Sequence, residues 1–364
     1  MKIAIIHNLP GGGGIRMLNS IIDRYKYNSE IDVYVLGETK PSKIRGITTY
    51  FFELNPWKGF IFYNLWIIYI LPLIHKRISR NNDWSKYEII FFSHDYFTKS
   101  PYLLRYISSN NKYYLCQEPQ REFYEPSKYH DRTIKDKLIK YLRYPIKWID
   151  ENNVKYSNKI FCNSLYSQKT LKKIYKRDPE IVYPGVDVNF FTPSKKKKEN
   201  IIICVGGINI TKNQKFVANA LTPILDDYKL IFIGDGKKYY KDKIQKINKN
   251  IEIISNVSDY ELRDFYRRAK LTCIAAYLEP FGLSSIESQS CGTPVLTVED
   301  GGSVETVING KTGFVTRLDY TEFLTKAKEI IETTSIMGKE SRKNAVENWT
   351  VSKTLVPLYK YFIR

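Results

Sequence analysis

Residues 271–298 read LTCIAAYLEPFGLSSIESQSCGTPVLTV, and three kinds of segment follow one another in them. Leu271–Ala276 is a short apolar run of the kind that forms a buried strand. The run after Gly282 reads as a helix. Gly292, Thr293 and Pro294 then close that helix and open the next apolar run, which ends at Val298. Strand, helix and strand in that order make a βαβ unit, whose two strands lie parallel.

The same alternation extends in both directions. Towards the N-terminus the strand candidates are Lys2–Asn8, Asp32–Gly37, Ile47–Phe52, Tyr87–Asp95, Lys112–Glu118, Lys159–Asn163 and Glu180–Tyr183. In the second half they are Asn200–Gly206, Lys229–Gly234, Ile251–Ser255, Leu271–Ala276, Pro294–Val298 and Gly313–Thr316. These are continuous Ile, Val and Phe blocks rather than alternating ones, the mark of strands covered on both faces. The predicted class is α/β: two Rossmann-like, doubly wound parallel-sheet domains facing a cleft. Tyr183-Pro184-Gly185 turns the chain between the halves, and Lys195–Lys198 reads as a solvated linker. The expected organisation is 1–183, 184–345, and a C-terminal helix over 346–364 that packs back toward the first domain.

Lys and Arg number 57 against 38 Asp and Glu, a formal net charge of +19 in 364 residues. Nucleic acid, an anionic membrane or phosphate-bearing substrates fit such a balance, and so does a lysine-rich genome. The basic residues are dispersed and no nucleic-acid module is present, so nucleic acid is not an expected partner. The five cysteines form no CxxC and read as core residues of a reducing compartment. The histidines are scattered, and no Asp-x-Asp occurs, so no metal is expected. No signal peptide is expected, and the expected location is cytoplasmic. Phe60–Ile74 (FIFYNLWIIYILPLI) spans roughly 22 Å as a helix, short of a hydrocarbon core of roughly 30 Å. It reads either as a buried helix or as one lying on a membrane surface, with His75, Lys76 and Arg77 meeting lipid headgroups. Reversible attachment to the inner face of an anionic membrane is the prediction to test.

Two motifs carry chemistry. Gly11–Gly14, after the first strand, suits a close approach of backbone to a ligand, although the spacing is not GxGxxG. Glu279-Pro-Phe-Gly-Leu-Ser-Ser-Ile-Glu287 lies at a strand–loop–helix junction, where the amides of Gly282, Leu283 and Ser284 can meet a phosphate. Glu279 can reach hydroxyls there, and Glu287 can accept two hydroxyls of a ribose.

EPFGLSSIE resembles the E-x7-E signature of retaining glycosyltransferases of family 4, which have the GT-B fold. NVSDYELRDFYRRA (256–269), SCGTPVLTVEDGGSVETVINGKTGF (290–314) and YPGVDVNFF (183–191) are similar to the family's neighbouring stretches. The likeness covers most of 180–317. It is looser in the first half, at the glycine loop, at SHD (93–95) and at QEPQREFYEP (117–126), which resembles mannosyltransferase-like members.

The resemblance implies that Glu287 binds the ribose, Glu279 the transferred sugar, and the backbone of Phe281, Gly282, Leu283 and Ser284 the diphosphate and sugar. It implies Val257 at the base and Gly13 near the donor phosphate. Two positions depart from the pattern. In VGGINITKN the family's Lys is Lys212, but Gly207 stands where an Arg is expected. Gln117 holds the place of a His near the anomeric carbon; it can polarise but cannot take a proton. His94 is the neighbour expected to compensate in part, and Arg121 is an expected phosphate or acceptor contact.

The implied activity is metal-independent transfer, with retention, of a hexose from a UDP- or GDP-sugar to a saccharide or lipid-linked acceptor. A nucleotide-sugar epimerase and a non-catalytic GT-B accessory subunit are the rival readings.

Overall fold

A computed structural model of the chain describes residues 1–38, 46–126 and 134–363. It divides into two compact units, Met1–Tyr183 with Leu355–Arg364, and Pro184–Thr354. The first sheet holds β1 (Lys2–His7), β2 (Glu30–Gly37), β3 (Thr48–Glu53), β4 (Ile89–Ser93), β5 (Lys112–Leu115), β6 (Lys159–Cys162) and β7 (Glu180–Ile181), in the order β3-β2-β1-β4-β5-β6-β7. The second holds β8 (Ile201–Val205), β9 (Lys229–Ile233), β10 (Ile251–Ile254), β11 (Leu271–Ile274), β12 (Val295–Val298) and β13 (Gly313–Thr316), in the order β10-β9-β8-β11-β12-β13. All neighbouring pairs are parallel; Ile5 faces Val33 on one side and Phe91 on the other. Each apolar run became a strand; inner strands such as β1 and β4 are buried nearly throughout, as coverage on both faces requires, while the edge strand β3 is only half-buried.

Each unit has its own core. Trp66, Ile90, Phe92 and Tyr114 lie in the first; Phe232, Leu271, Leu296 and Phe323 lie in the second. All five cysteines are buried and free. The chain returns to the first unit at Leu355 rather than at 346. The long helix Tyr320–Asn348 and the residues to Thr354 stay with the second unit, where the Val186 amide donates to the Trp349 carbonyl at 2.8 Å. Beyond Leu355, Tyr25 donates its hydroxyl to the Leu355 carbonyl at 2.7 Å, and Ser29 donates to that of Phe362 at 2.7 Å.

The apolar stretch at 60 is a longer helix than expected, with segments Phe60–Leu65, Trp66–Ile70 and Leu71–Arg80. The middle segment is a π-turn. Pro72 has no amide hydrogen for the α-helical ladder, and one wider turn just before it absorbs the mismatch. One face, with Trp66, Ile67, Leu71 and His75, is buried, while Ile61, Phe62, Tyr69 and Leu73 are each about 60% exposed. Among the described residues no helix is long and apolar enough to cross a membrane.

The lysine run also differs from expectation. Lys195, Lys196 and Lys197 are exposed, but Lys198 turns inward. Its ammonium donates to the Ala269 carbonyl at 2.9 Å and to the Thr293 hydroxyl, just past the end of the Asp259–Arg268 helix. A cation there complements the helix dipole, and burial pulls its pKa down to about 8.

Candidate functional site

In both sheets the direction of winding reverses once, between β1 and β4 and between β8 and β11. Loops leaving the carboxyl ends of such strand pairs diverge and open a crevice. Several of the sequence-predicted residues lie at these two places, while Val257 follows β10 and Arg121 follows β5.

In the second unit, Lys212 follows β8 and Glu279 follows β11. The Lys212 ammonium stands 2.5 Å from Glu279 Oε2. Both residues are held from behind. Asn209 accepts the Lys212 amide at 3.0 Å, and the Tyr277 amide donates to the Thr211 carbonyl at 2.8 Å, tying the two loops together. Leu278 sits in the left-handed region at φ 51°, an unfavourable state for a leucine. The Gly302 amide donates to the Glu279 carbonyl at 2.6 Å. Gly301 runs so close that an added Cβ would lie 2.4 Å from the Glu279 nitrogen and carbonyl oxygen, at a φ of 82°. Only glycine fits both conditions.

Phe281 is buried against Trp349, with ring centroids 5.6 Å apart, and Gly282 caps the Leu283–Ser290 helix. The first-turn amides of this helix, those of Leu283 and Ser284 among them, have no carbonyl within the helix to meet. Glu287, one turn further, is 4% exposed, and its Oε2 accepts the Tyr266 hydroxyl at 3.0 Å. Val257 is half-buried in the loop after β10, just before the capping box of Ser258 and Glu261. Gly207 has its carbonyl fixed by the Gln214 amide group at 2.9 Å. A Cβ there would make ordinary contacts, 3.4 Å to Asn209 and 3.8 Å to Asp235, so packing does not demand glycine.

In the first unit, Gly13 begins the Gly13–Tyr25 helix, and Gln117 donates to the Gly14 carbonyl at 3.1 Å. The close approach falls on Gly14, whose added Cβ would press within 3.2 Å of His94 Cε1 and 3.6 Å of the Gln117 amide. His94 is buried, and its Nδ1 has no hydrogen-bond partner. Burial, with help from the Lys99 charge, drives its pKa down to about 3, so the ring is neutral near pH 7. Burial likewise lowers His7 to about 4. Lys99 pairs with Glu118 at 2.6 Å. Burial opposes ionisation of Glu118, but the Lys99 charge prevails and holds its pKa at about 2. Arg121 is bound within its own turn, 2.6 Å from Glu125. A phosphate there would compete with a carboxylate already in place.

The structure thus brings Lys212 to Glu279, and His94 and Gln117 to Gly14. Sequence reasoning missed Tyr266 as the partner of Glu287. The signal lay within DFYRR, where a tyrosine stands among charged residues on a helix beside the signature. Among the described residues, no three His, Cys, Asp or Glu side chains converge as a metal-ligand set.

Comparison with known proteins agrees with this geometry. Residues 186–349 match the family model described as Glycosyl transferases group 1. The alpha-1,3/1,6-mannosyltransferase of Mus musculus is 25% identical over 263 residues, which are 62% of this chain and 63% of that protein. Across three curated relatives it matches, the chain spans from 44% to 63% of their length. Two solved structures share the fold. Sucrose-phosphate synthase from Thermosynechococcus elongatus superposes with a TM-score of 0.79 at 14% identity, covering 100% of this chain and 98% of that one. Anabaena HepE, in complex with UDP-glucose, gives 0.75 at 16% identity, covering 99% of each. Two parallel Rossmann-like sheets, a signature seated on the β8–β11 switch point and the family match together show that this chain carries a glycosyl transferases group 1 domain of the GT-B class.

Proposed function

We propose that the chain transfers a hexose, with retention and without a metal, from a UDP- or GDP-sugar to a saccharide or lipid-linked acceptor. The observation that carries this reading is the convergence of Lys212, Glu279 and the Leu283–Ser290 helix start at one switch point, with Glu287 a turn away. A cation and helix-start amides suit a departing diphosphate, and a carboxylate suits sugar hydroxyls. HepE, a neighbour in fold, binds UDP and UDP-glucose, which supports a nucleotide-sugar donor.

In the proposed step the bond from the anomeric carbon to the diphosphate oxygen breaks. The acceptor oxygen bonds to that carbon from the same face, and its proton passes to the departing phosphate. Lys212 and the amides of Leu283 and Ser284 take up the charge that develops on the phosphate, while Glu279 orients the sugar. In the first unit, neutral His94 and Gln117 offer hydrogen bonds rather than a proton acceptor.

We further propose that the first unit rests on an anionic membrane. The exposed face with Ile61, Phe62, Tyr69 and Leu73 carries Lys58, Lys76 and Arg77 around it. The segments Ile134–Leu142 and Tyr144–Asn153 add exposed Tyr141 and Trp148, and Arg143 between them bonds Asn64 at 2.8 Å. Apolar area and cations act together at such an interface.

The test is transfer by the purified chain, with UDP- and GDP-sugars and acceptor-bearing phosphatidylserine vesicles, in EDTA. Transfer with the donor's anomeric configuration kept, and vesicle flotation that falls with salt, support the proposal. Loss of transfer in EDTA that Mg²⁺ restores overturns the metal-independent reading. Donor binding without any hydrolysis or transfer favours the accessory-subunit reading instead.

A further inference from the structure

We infer that the Lys212–Glu279 ion pair makes the donor site prefer the intact nucleotide-sugar over the bare nucleoside diphosphate. This rests on the donor-site reading above.

The pair closes at 2.5 Å, with the lysine side chain 30% and the carboxylate 13% exposed. Water screens such a pair less than one on the open surface. Strained Leu278 and the close Gly301 fix the backbone that carries the carboxylate, so Glu279 keeps its place when Lys212 is drawn away from it.

Two ligands then meet the pair on different terms. A nucleoside diphosphate must draw the ammonium from Glu279 and then lies beside an uncompensated carboxylate. That repulsion and the broken bond both oppose binding. An intact donor also takes the ammonium, but its sugar hydroxyls donate to Glu279 in return. After transfer the sugar has gone, Glu279 loses those donors, and Lys212 goes back to it. The same pair that accepts the donor therefore loosens the product. Glu279 sets selectivity through the charge it restores to Lys212, in addition to any contact with the sugar.

Calorimetry with UDP, UDP-glucose, GDP and GDP-mannose tests this on the wild-type chain and on Glu279→Gln. The expected result is a nucleoside diphosphate bound roughly threefold to tenfold tighter by the variant, the scale of releasing one partly buried charged hydrogen bond. The intact donor should bind no tighter, so the ratio between the two ligands collapses. Glu279→Ala, a second variant independent of the glutamine amide, should shift the diphosphate the same way. In a Lys212→Gln background most of the gain should vanish. Equal weakening of both ligands, or unchanged diphosphate affinity in folded variants, overturns the inference and leaves the donor site standing. A wild-type chain that binds none of the four ligands overturns the donor-site reading itself.

Discussion

At the β1–β4 switch point the groups that meet Gly14 are neutral, and at the β8–β11 switch point a lysine and a carboxylate stand paired. His94 is held neutral by burial, Gln117 has no charge to give, and Lys99 and Glu118, whose fields reach His94, satisfy each other. Across the molecule's other sheet, Lys212 meets Glu279 in partly screened surroundings, and Glu287 is buried with a tyrosine hydroxyl as its partner. On the proposed reading the cation and amides at the second sheet suit a diphosphate, and the neutral donors and acceptors at the first suit a hydroxyl-rich ligand.

The sharpest way to break this contrast is to remove the cation. Lys212→Ala should lower kcat by about 100- to 1000-fold, the usual loss when one group that stabilises a developing anion is deleted. Steady-state kinetics with saturating donor measure it; a loss under tenfold would place the charge stabilisation elsewhere.

Glu287 comes next. Glu287→Ala should weaken donor binding by about 1–3 kcal/mol, the range for charged hydrogen bonds. Tyr266→Phe should cost less, about 1 kcal/mol, because it removes only the hydroxyl that orients the carboxylate. Its signature is selective: preference for the ribonucleotide over its 2′-deoxy form should shrink, whereas a purely packing role would weaken both forms alike.

Gly207 permits a gain. Its Cβ position is open to a side chain, so Gly207→Arg should strengthen donor binding by about 1 kcal/mol through one added charge-assisted bond. An unchanged affinity would mean that the site has no place for a second cation.

The smallest effect concerns the first unit's interior. His75 lies in the core with neither ring nitrogen bonded, edge-on to Tyr102, and burial depresses its pKa to about 3. His75→Leu should raise stability by up to about 1 kcal/mol at pH 7, since it removes an unsatisfied buried polar group. The sign with pH follows from linkage. The unfolded chain takes a proton on this ring below about pH 6.5, and the folded chain resists until about 3. Wild-type stability from this group is therefore lost as pH falls through that window, and the variant should lose less. Melting temperatures at pH 7 and 5.5 check both points.

Much of this was legible in the residues. The apolar blocks marked the strands found among the described residues, because an inner strand covered on both faces leaves an unbroken apolar signature that depends on no partner in particular. Glu279 and Glu287 could be singled out as candidates because they share one strand–loop–helix unit, and Lys212 because it stands in the loop after another apolar run. The exposed reading of Lys198 failed because the helix end that draws it in lies some seventy positions away, at Arg267 and Ala269. The helix at 60 showed its apolar content but not which half would be covered.

The sequence alone determined the class of fold, the boundary at Tyr183–Pro184 and the signature on the second sheet. Those depend on local periodicity, turn residues and short-range spacing. Only the tertiary structure decided that Lys212 closes on Glu279, that Tyr266 holds Glu287, that Gly14 is the glycine under His94, and that the chain returns to the first unit at Leu355. Each of these is a meeting of residues from different loops or helices. Which ones meet depends on strand order and on close packing that no single stretch of chain contains.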